Sequence, residues 1–250
     1  MKFVPSWLNR LASPQHFFID IKPWIMWLYV LGTIGLLVGS VWGLAFVPPE
    51  RYQGDSFRIL YVHAPIAHLA QLIYISIAIA GVVHLVWKLK MADVYMSAAA
   101  PVGCWLTALA LVSGMIWGMP TWGTAWVWDA RIVSTLILFF LYFGLIVLRR
   151  VIPNPARAAT ALSILAIVGA INVPIIKFSV EWFNTLHQPA SIELFGDVSI
   201  DRVFLVPLFI NIASISVLSA GIILAYMRYL VVERNASMTW IQEWSRGKNQ

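Results

Sequence analysis

The chain has 250 residues, of which 60% are hydrophobic and only 11% are charged. Soluble domains carry about 25% charged residues, so this composition excludes an ordinary soluble domain and indicates that membrane lipid covers much of the apolar surface. The modest excess of base, 17 Lys and Arg against 11 Asp and Glu, is more typical of membrane orientation than of nucleic-acid binding.

Six apolar runs are long enough to cross a hydrocarbon core of roughly 30 Å, which takes ~20 helical residues. In chain order, the predicted transmembrane helices cover residues 24–47, 62–87, 97–118, 132–149, 158–178 and 204–228. We therefore expect an all-α, polytopic membrane domain over residues 24–228. An N-terminal segment, 1–23, precedes this domain, and a polar tail, 229–250, follows it.

The basic residues are distributed unevenly between the two sides of the predicted bundle. If the N-terminus is inside, twelve of the 17 Lys and Arg residues lie inside and five lie outside. Cytoplasmic segments of membrane proteins are enriched in Lys and Arg, so we expect both termini to be cytoplasmic. The outer side then carries three connections, 48–61, 119–131 and 179–203.

Several classes of chemistry are excluded by motifs that the sequence lacks. The single cysteine, Cys104, rules out an internal disulfide and any paired-cysteine metal, redox or haem-attachment motif. A glycine-rich phosphate loop is also missing, so the chain does not hydrolyse ATP by that machinery. The sequence contains neither the nucleophile motif G-x-S-x-G nor the zinc motif H-E-x-x-H. The outer connections are also too short to form an independent catalytic domain.

The middle outer connection is rich in tryptophan. Four indoles lie in or beside the stretch "WGTAWVWDAR": Trp117, Trp122, Trp126 and Trp128. One interpretation is an aromatic belt at the lipid headgroups. The other is a platform for a large, flat, apolar ligand, with Gly118 and Gly123 allowing close approach. If the segment is helical, Trp122 and Trp126 share a face because they are four residues apart.

Two histidines fall on the same side as these tryptophans. His63 lies where the second helix begins and His187 in the third outer connection. Two neutral imidazoles beside an aromatic platform match the requirements of an axially ligated porphyrin iron. Each histidine taken alone is more typical of an interfacial hydrogen-bonding residue. His68 and His84 are sixteen residues apart on one predicted helix, or roughly 24 Å, too far to share one iron.

The charged neighbours of these residues have two interpretations. Asp129 precedes the fourth predicted helix, where a carboxylate caps free N–H groups, and it could equally contact a ligand. Arg58, Arg131 and Lys177 are candidate contacts for the two propionates of a haem, because cationic side chains pair with carboxylates.

Three motifs together resemble a known family. The run "WGTAWVWDARIVS" is similar to the WWD signature of the haem-handling proteins of cytochrome c biogenesis. The segments "YVHAPIAH" and "KFSVEWFNTLHQP" resemble the two outer histidine segments of its six-helix branch, the haem exporter protein C (CcmC) family. The resemblance extends from about Trp24 to Arg228, and it departs from the usual pattern at Ala125 and in "RIVS".

The resemblance implies a haem-handling subunit rather than an enzyme. In that family, haem b is held non-covalently at the periplasmic face of the inner membrane, which makes His63 and His187 the axial ligands here. The implied platform consists of Trp117, Trp122, Gly123, Trp126, Trp128 and Asp129. The implied partners are a periplasmic haem chaperone (CcmE), an ATP-binding subunit (CcmA), a membrane subunit (CcmB) and a single-span subunit (CcmD).

Two rival functions use the same residues differently. A quinone-binding subunit of an oxidoreductase would stack its quinone on the tryptophans and use His63 and His187 to transfer protons. A transporter with an aromatic gate would favour charged residues or broken helices near the middle of the bilayer. The sequence offers no convincing pair of such features.

Overall fold

The computed structural model of the protein describes residues 10, 12–187 and 200–246. The other residues of the predicted segments 1–23, 179–203 and 229–250 lie outside the described part. Nine α-helices are defined within it: α1 Pro14–Asp20, α2 Lys22–Val41, α3 Leu60–Trp87, α4 Lys90–Trp122, α5 Ala130–Val151, α6 Pro155–Gly169, α7 Asn172–Trp182, α8 Arg202–Arg234 and α9 Thr239–Ser245. A π-helical turn, Trp42–Phe46, extends α2, and a 3₁₀ turn, Asp55–Ile59, leads into α3.

The prediction of an all-α protein with six membrane spans is confirmed. Six segments are long and apolar enough to cross a bilayer: Lys22–Phe46, Asp55–Trp87, Lys90–Trp122, Ala130–Val151, Pro155–Trp182 and Arg202–Arg234. Most of the observed helices extend beyond the predicted bounds. The 33 residues of α4 measure about 50 Å, more than the hydrocarbon thickness, so the ends of this helix project beyond the apolar layer.

The spans pack as one bundle in which α3 contacts α4, α6 and α8. The most extensive pairing joins α2 to α8, and glycines on α2 make it close. A Cβ atom on Gly32 would lie 2.7 Å from the backbone nitrogen of Leu218, so a larger residue there would force the two helices apart. The hydroxyl of Tyr142 is buried in the core and donates to the carbonyl of Ala70 at 2.6 Å.

Successive spans run in opposite directions, so alternate connections share one end of the bundle. The connection after α2, the segment 123–129 and His187 lie together at what we call the tryptophan end. At the opposite end, Asp93 is buried and pairs with Arg234 at 2.8 Å and Arg149 at 3.5 Å. This ion cluster ties α4, α5 and α8 together where the predicted cytoplasmic side lies.

The fifth span is a pair of helices rather than one. The chain turns at Ala170 and Ile171, between α6 and α7. Pro174 explains the interruption, because proline has no N–H and its ring crowds the carbonyl four residues earlier. Since α6 packs on both α3 and α5 whereas α7 packs mainly on α5, the second half of the span is attached to the bundle largely through α5.

Candidate functional site

The tryptophan segment begins where α4 ends. Gly123 has a φ of +75°, a left-handed conformation that suits glycine and terminates the helix, and its N–H still donates to Met119 at 3.1 Å. Residues 124–129 are not helical. Only Trp122 belongs to the helix, so the condition under which Trp122 and Trp126 would share a helical face is not met.

A second glycine allows the segment to fold back over the end of α4. A Cβ atom on Gly118 would lie 2.8 Å from the carbonyl oxygen of Thr124, so only glycine fits without moving backbone. The expected close approach is thus made at Gly118, whereas the space around Gly123 is open. Trp126 and Trp128 then meet edge to face, with ring centroids 5.3 Å apart.

These two indoles are placed in different surroundings. Trp128 is 75% exposed. The Nε1 atom of Trp126 is buried and has no hydrogen-bond partner among the described residues. The segment therefore presents one exposed apolar ring, that of Trp128, and holds the indole N–H of Trp126 buried beside it.

Asp129 connects this segment to His187. One carboxylate oxygen of Asp129 accepts the backbone N–H of Ile132 at 2.8 Å, which caps α5. The other lies 2.9 Å from Nδ1 of His187, and the carboxylate side chain is only 5% exposed. Trp122 lies edge-on against the His187 ring, with centroids 4.6 Å apart. Asp129 therefore caps α5, which is one of its two predicted roles, and in addition contacts His187. Its direct contact with a ligand stays a prediction.

The electrostatic surroundings of His187 keep its ring neutral near neutral pH. Burial lowers the pKa of His187 below its ordinary value of 6.5, and the carboxylate of Asp129 opposes this shift. The positive charge of Arg131 lowers the pKa further. A neutral imidazole retains the lone pair that a metal requires.

His63 is held by α4 in a similar way. Its Nδ1 atom lies 3.0 Å from Oγ of Ser113, and its ring is 5.6 Å from that of Trp117 in an edge-on contact. The hydroxyl of Ser113 donates to the carbonyl of Leu109 at 2.7 Å, so towards His63 it acts as an acceptor. Trp117 is fixed in turn because its indole N–H donates to Gln53 at 2.8 Å.

The two histidines belong to one site although they are far apart in sequence. His63 and His187 lie close enough for a charge on His187 to act on His63, and Arg131 acts electrostatically on both. Arg131 is anchored by a 3.1 Å hydrogen bond from Nε to Ser179 on α7. The Nδ1 atom of each ring faces an oxygen that can accept a proton from it, and a ring with its proton on Nδ1 presents Nε2 as a lone pair.

The other candidate residues are placed elsewhere. Arg58 donates to the carbonyl of Leu44 at 2.7 Å and to Asp55 at 2.8 Å. Lys177 is exposed and acts electrostatically on His68, which faces about 140° away from His63 around α3. Within the described residues, neither Arg58 nor Lys177 has a hydrogen bond or ion pair with either histidine of the site.

Sequence reasoning missed three residues that support the site: Gln53, Ser113 and Ser179. Ser113 lies within an apolar run, where serine usually bonds only to its own helix. The available signal was its spacing from Trp117, because residues four apart share a helix face. Gln53 and Ser179 had no comparable signal, since each acts on a residue more than 45 positions away.

Comparison with known proteins identifies the family of the chain. The profile of the family described as "Heme exporter protein C" matches residues 7–242. Proteins named "Heme exporter protein C" from Haemophilus influenzae and Bradyrhizobium diazoefficiens are 45% and 42% identical to the chain, covering 95% and 96% of it and 96% and 90% of their own lengths. The protein of that name from Escherichia coli K12 is 41% identical, covering 94% of the chain and 95% of its own length. The chain belongs to the heme exporter protein C family.

The range matched by the heme exporter protein C family covers the whole candidate site. The matched range 7–242 contains both histidines, the tryptophan segment and all six spans. The resemblance of the three sequence motifs is thereby confirmed at the level of the family.

Proposed function

We propose that this chain is a membrane subunit that handles haem for cytochrome c maturation, and that it is not itself an enzyme. Haem b is held non-covalently as cargo, with its iron between Nε2 of His63 and Nε2 of His187. The tryptophan segment supports the porphyrin. The names of the relatives, "Heme exporter protein C", support haem as the ligand.

One observation carries the proposal: two histidines distant in sequence lie at the same end of the bundle, and each has Nδ1 beside an oxygen acceptor and its ring against a tryptophan. Ser113 and Trp117 hold His63, and Asp129 and Trp122 hold His187. Metal-ligating histidines characteristically donate their other ring N–H to such a partner, which fixes the tautomer and the orientation of the ring. A purely interfacial histidine has no need of this paired arrangement.

The residues present fit a haem in two further respects. The indole surfaces of the segment offer apolar contact to a flat ring. The ring of Trp128 is exposed and can contact the porphyrin, and Arg131, which acts electrostatically on both histidines, offers a cation for a propionate. We assign the propionate role to Arg131 ahead of Arg58 and Lys177, because the hydrogen bonds of Arg58 and the position of Lys177 direct those groups elsewhere.

We further propose that the tryptophan end faces the periplasm from the bacterial inner membrane. The basic residues support this orientation, because Lys88, Arg149 and Arg234 lie at or near helix termini at the opposite end. Haem is then delivered to a periplasmic chaperone of the CcmE type. The lack of a phosphate loop agrees with dependence on an ATP-binding partner (CcmA), together with the membrane subunits CcmB and CcmD.

The test is an absorption spectrum of the detergent-purified protein, co-expressed with the haem chaperone. The variants His63→Ala and His187→Ala are compared with His68→Ala, a matched control on the same helix as His63. We expect a six-coordinate haem spectrum in the wild type and in His68→Ala. Each of the other two variants should lose haem or convert it to a five-coordinate form.

Other results would overturn the proposal. If both site variants keep an unchanged six-coordinate spectrum, the two histidines are not the ligands. If the wild type carries no haem and its solvent extract contains a stoichiometric quinone, the quinone-binding function replaces haem handling.

A further inference from the structure

The partners of the two candidate ligands differ in charge, although their geometry is alike. The Nδ1–H of His187 faces a carboxylate at 2.9 Å, whereas the Nδ1–H of His63 faces a serine hydroxyl at 3.0 Å. The carboxylate of Asp129 is nearly buried, so water screens its charge little. An anionic acceptor withdraws the Nδ1 proton more strongly and raises the electron density on Nε2, which makes a better ligand.

Ser113 gives His63 a different kind of support. Its Oγ–H is committed to the carbonyls of Leu109 and Ala110, at 2.7 and 3.2 Å, so it positions His63 by accepting one neutral hydrogen bond. A hydrogen bond between neutral groups is weaker than one to a charged group. The iron therefore meets a strong ligand on one side and a weaker ligand on the other.

The two ligands also differ in how they are held. His63 lies on α3 and contacts Ser113 on α4, and these two helices pack closely together. His187 follows α7, which is attached to α5 through Arg131 and Ser179, and its orienting group Asp129 caps α5. If another ligand replaces His63 on the iron, the contacts among Asp129, Trp122 and His187 stay intact.

We propose that Ser113 is the positioning residue of His63, and that the two axial ligands are unequal: His63 is exchanged first, while His187 retains the iron. This inference rests on the proposed haem function and deepens it. During exchange the bond from iron to Nε2 of His63 breaks, and a bond to the incoming ligand forms in its place. No electron or proton is transferred in that step.

Carbon monoxide is the probe, added to the reduced, haem-loaded, full-length protein in detergent. Its binding rate reports dissociation of the ligand that leaves, and the iron–CO stretching frequency reports the ligand that stays on the opposite side. We expect Ser113→Ala to bind CO faster, by up to about tenfold, because about 1.4 kcal/mol corresponds to a factor of ten. Ser113→Thr, which keeps the hydroxyl, should restore the wild-type rate.

The matched control is Ser163→Ala, which also removes a buried serine hydroxyl. That hydroxyl donates to the carbonyl of Ala159 in its own helix at 2.8 Å and has no hydrogen bond with a histidine. It should bind CO at the wild-type rate. The stretching frequency should be the same in wild type, Ser113→Ala and His63→Ala, since His187 is the remaining ligand in all three. His187→Ala should give a different frequency.

The inference is overturned if the wild-type frequency matches His187→Ala rather than His63→Ala, or if Ser113→Ala shifts the frequency without changing the rate. Either result would mean that His63 is the ligand that stays. A wild-type protein without six-coordinate haem would defeat the proposed function itself, and this is read from the absorption spectrum before CO is added. The two failures are therefore distinguished.

Discussion

The substitution Asp129→Asn gives the sharpest test of the site, because the two oxygens of Asp129 serve two different donors. One accepts the N–H of Ile132 at 2.8 Å and the other accepts Nδ1–H of His187 at 2.9 Å. Asparagine has the same shape but only one oxygen, with an amide NH₂ in place of the other. It can satisfy only one of the two donors.

Each orientation of the amide has a definite cost. If the oxygen caps Ile132, the NH₂ faces His187 and favours the tautomer with the proton on Nε2, which cannot bind iron. If the oxygen faces His187, the cap of α5 is lost, at about 0.5–2 kcal/mol. Asparagine is itself a good cap, so we expect the first orientation to prevail and haem affinity to fall roughly 10–100-fold. That corresponds to about 1.4–2.8 kcal/mol.

The assay is a haem titration followed by absorbance, with thermal unfolding measured on the same preparation by circular dichroism. Asn154→Ala is the control, because Asn154 caps α6 through its side-chain oxygen at 3.0 Å and has no histidine partner. That variant should lose stability without losing haem. The reasoning is refuted if Asp129→Asn binds haem with wild-type affinity, or if Asn154→Ala loses haem to the same extent.

Three further predictions concern the segment, the pH dependence and the opposite end. Gly118→Ala should displace the tryptophan segment from α4 and reduce haem binding, because its Cβ would lie 2.8 Å from the Thr124 carbonyl oxygen. Gly144→Ala is the control, since its Cβ would meet only a flexible leucine side chain at 3.2 Å, and it should bind haem normally in the same titration. The pKa of His187 is lowered from 6.5, so its protonated form is disfavoured in the folded state. Haem retention, followed by absorbance, should therefore hold from about pH 8 to 6.5 and fall only below that range. Complete loss of haem already at about pH 7 would contradict this. Asp93→Asn leaves its two arginine partners without a counter-charge, so it should lower the free energy of unfolding in detergent by about 3 kcal/mol. The haem spectrum of the folded protein should not change. An unchanged free energy of unfolding would mean that the ion cluster is dispensable.

The membrane topology could be predicted well because hydropathy acts over whole segments. Each predicted span overlaps a single observed one, since ~20 consecutive apolar residues leave few alternatives to a spanning helix. The interruption of the fifth span was not predicted. Pro174 lies in the first turn of α7 and disrupts the turn before it, in the middle of the apolar run.

The site could be predicted only in part. Residue type and topology brought His63, His187 and the tryptophans to one end, because both signals survive without knowledge of packing. The partners of the rings depend on packing between distant helices, so Ser113 and the contact of Asp129 with His187 could not be derived. The helical condition for Trp122 and Trp126 is not met because Gly123 ends the helix between them.

The site lies where two halves of the bundle meet, and the second helix of the divided fifth span belongs to one of them. One half consists of α3 and α4, which hold His63. The other consists of α5 and α7, joined by Arg131 with Ser179 and by the side chain of Asn172, which donates to the carbonyl of Ser134 at 2.8 Å. The halves are packed against each other, because α4 contacts α5 and Trp122 of α4 packs on the ring of His187. A substitution in that packing would therefore change the distance between the two candidate ligands without either half changing its own fold.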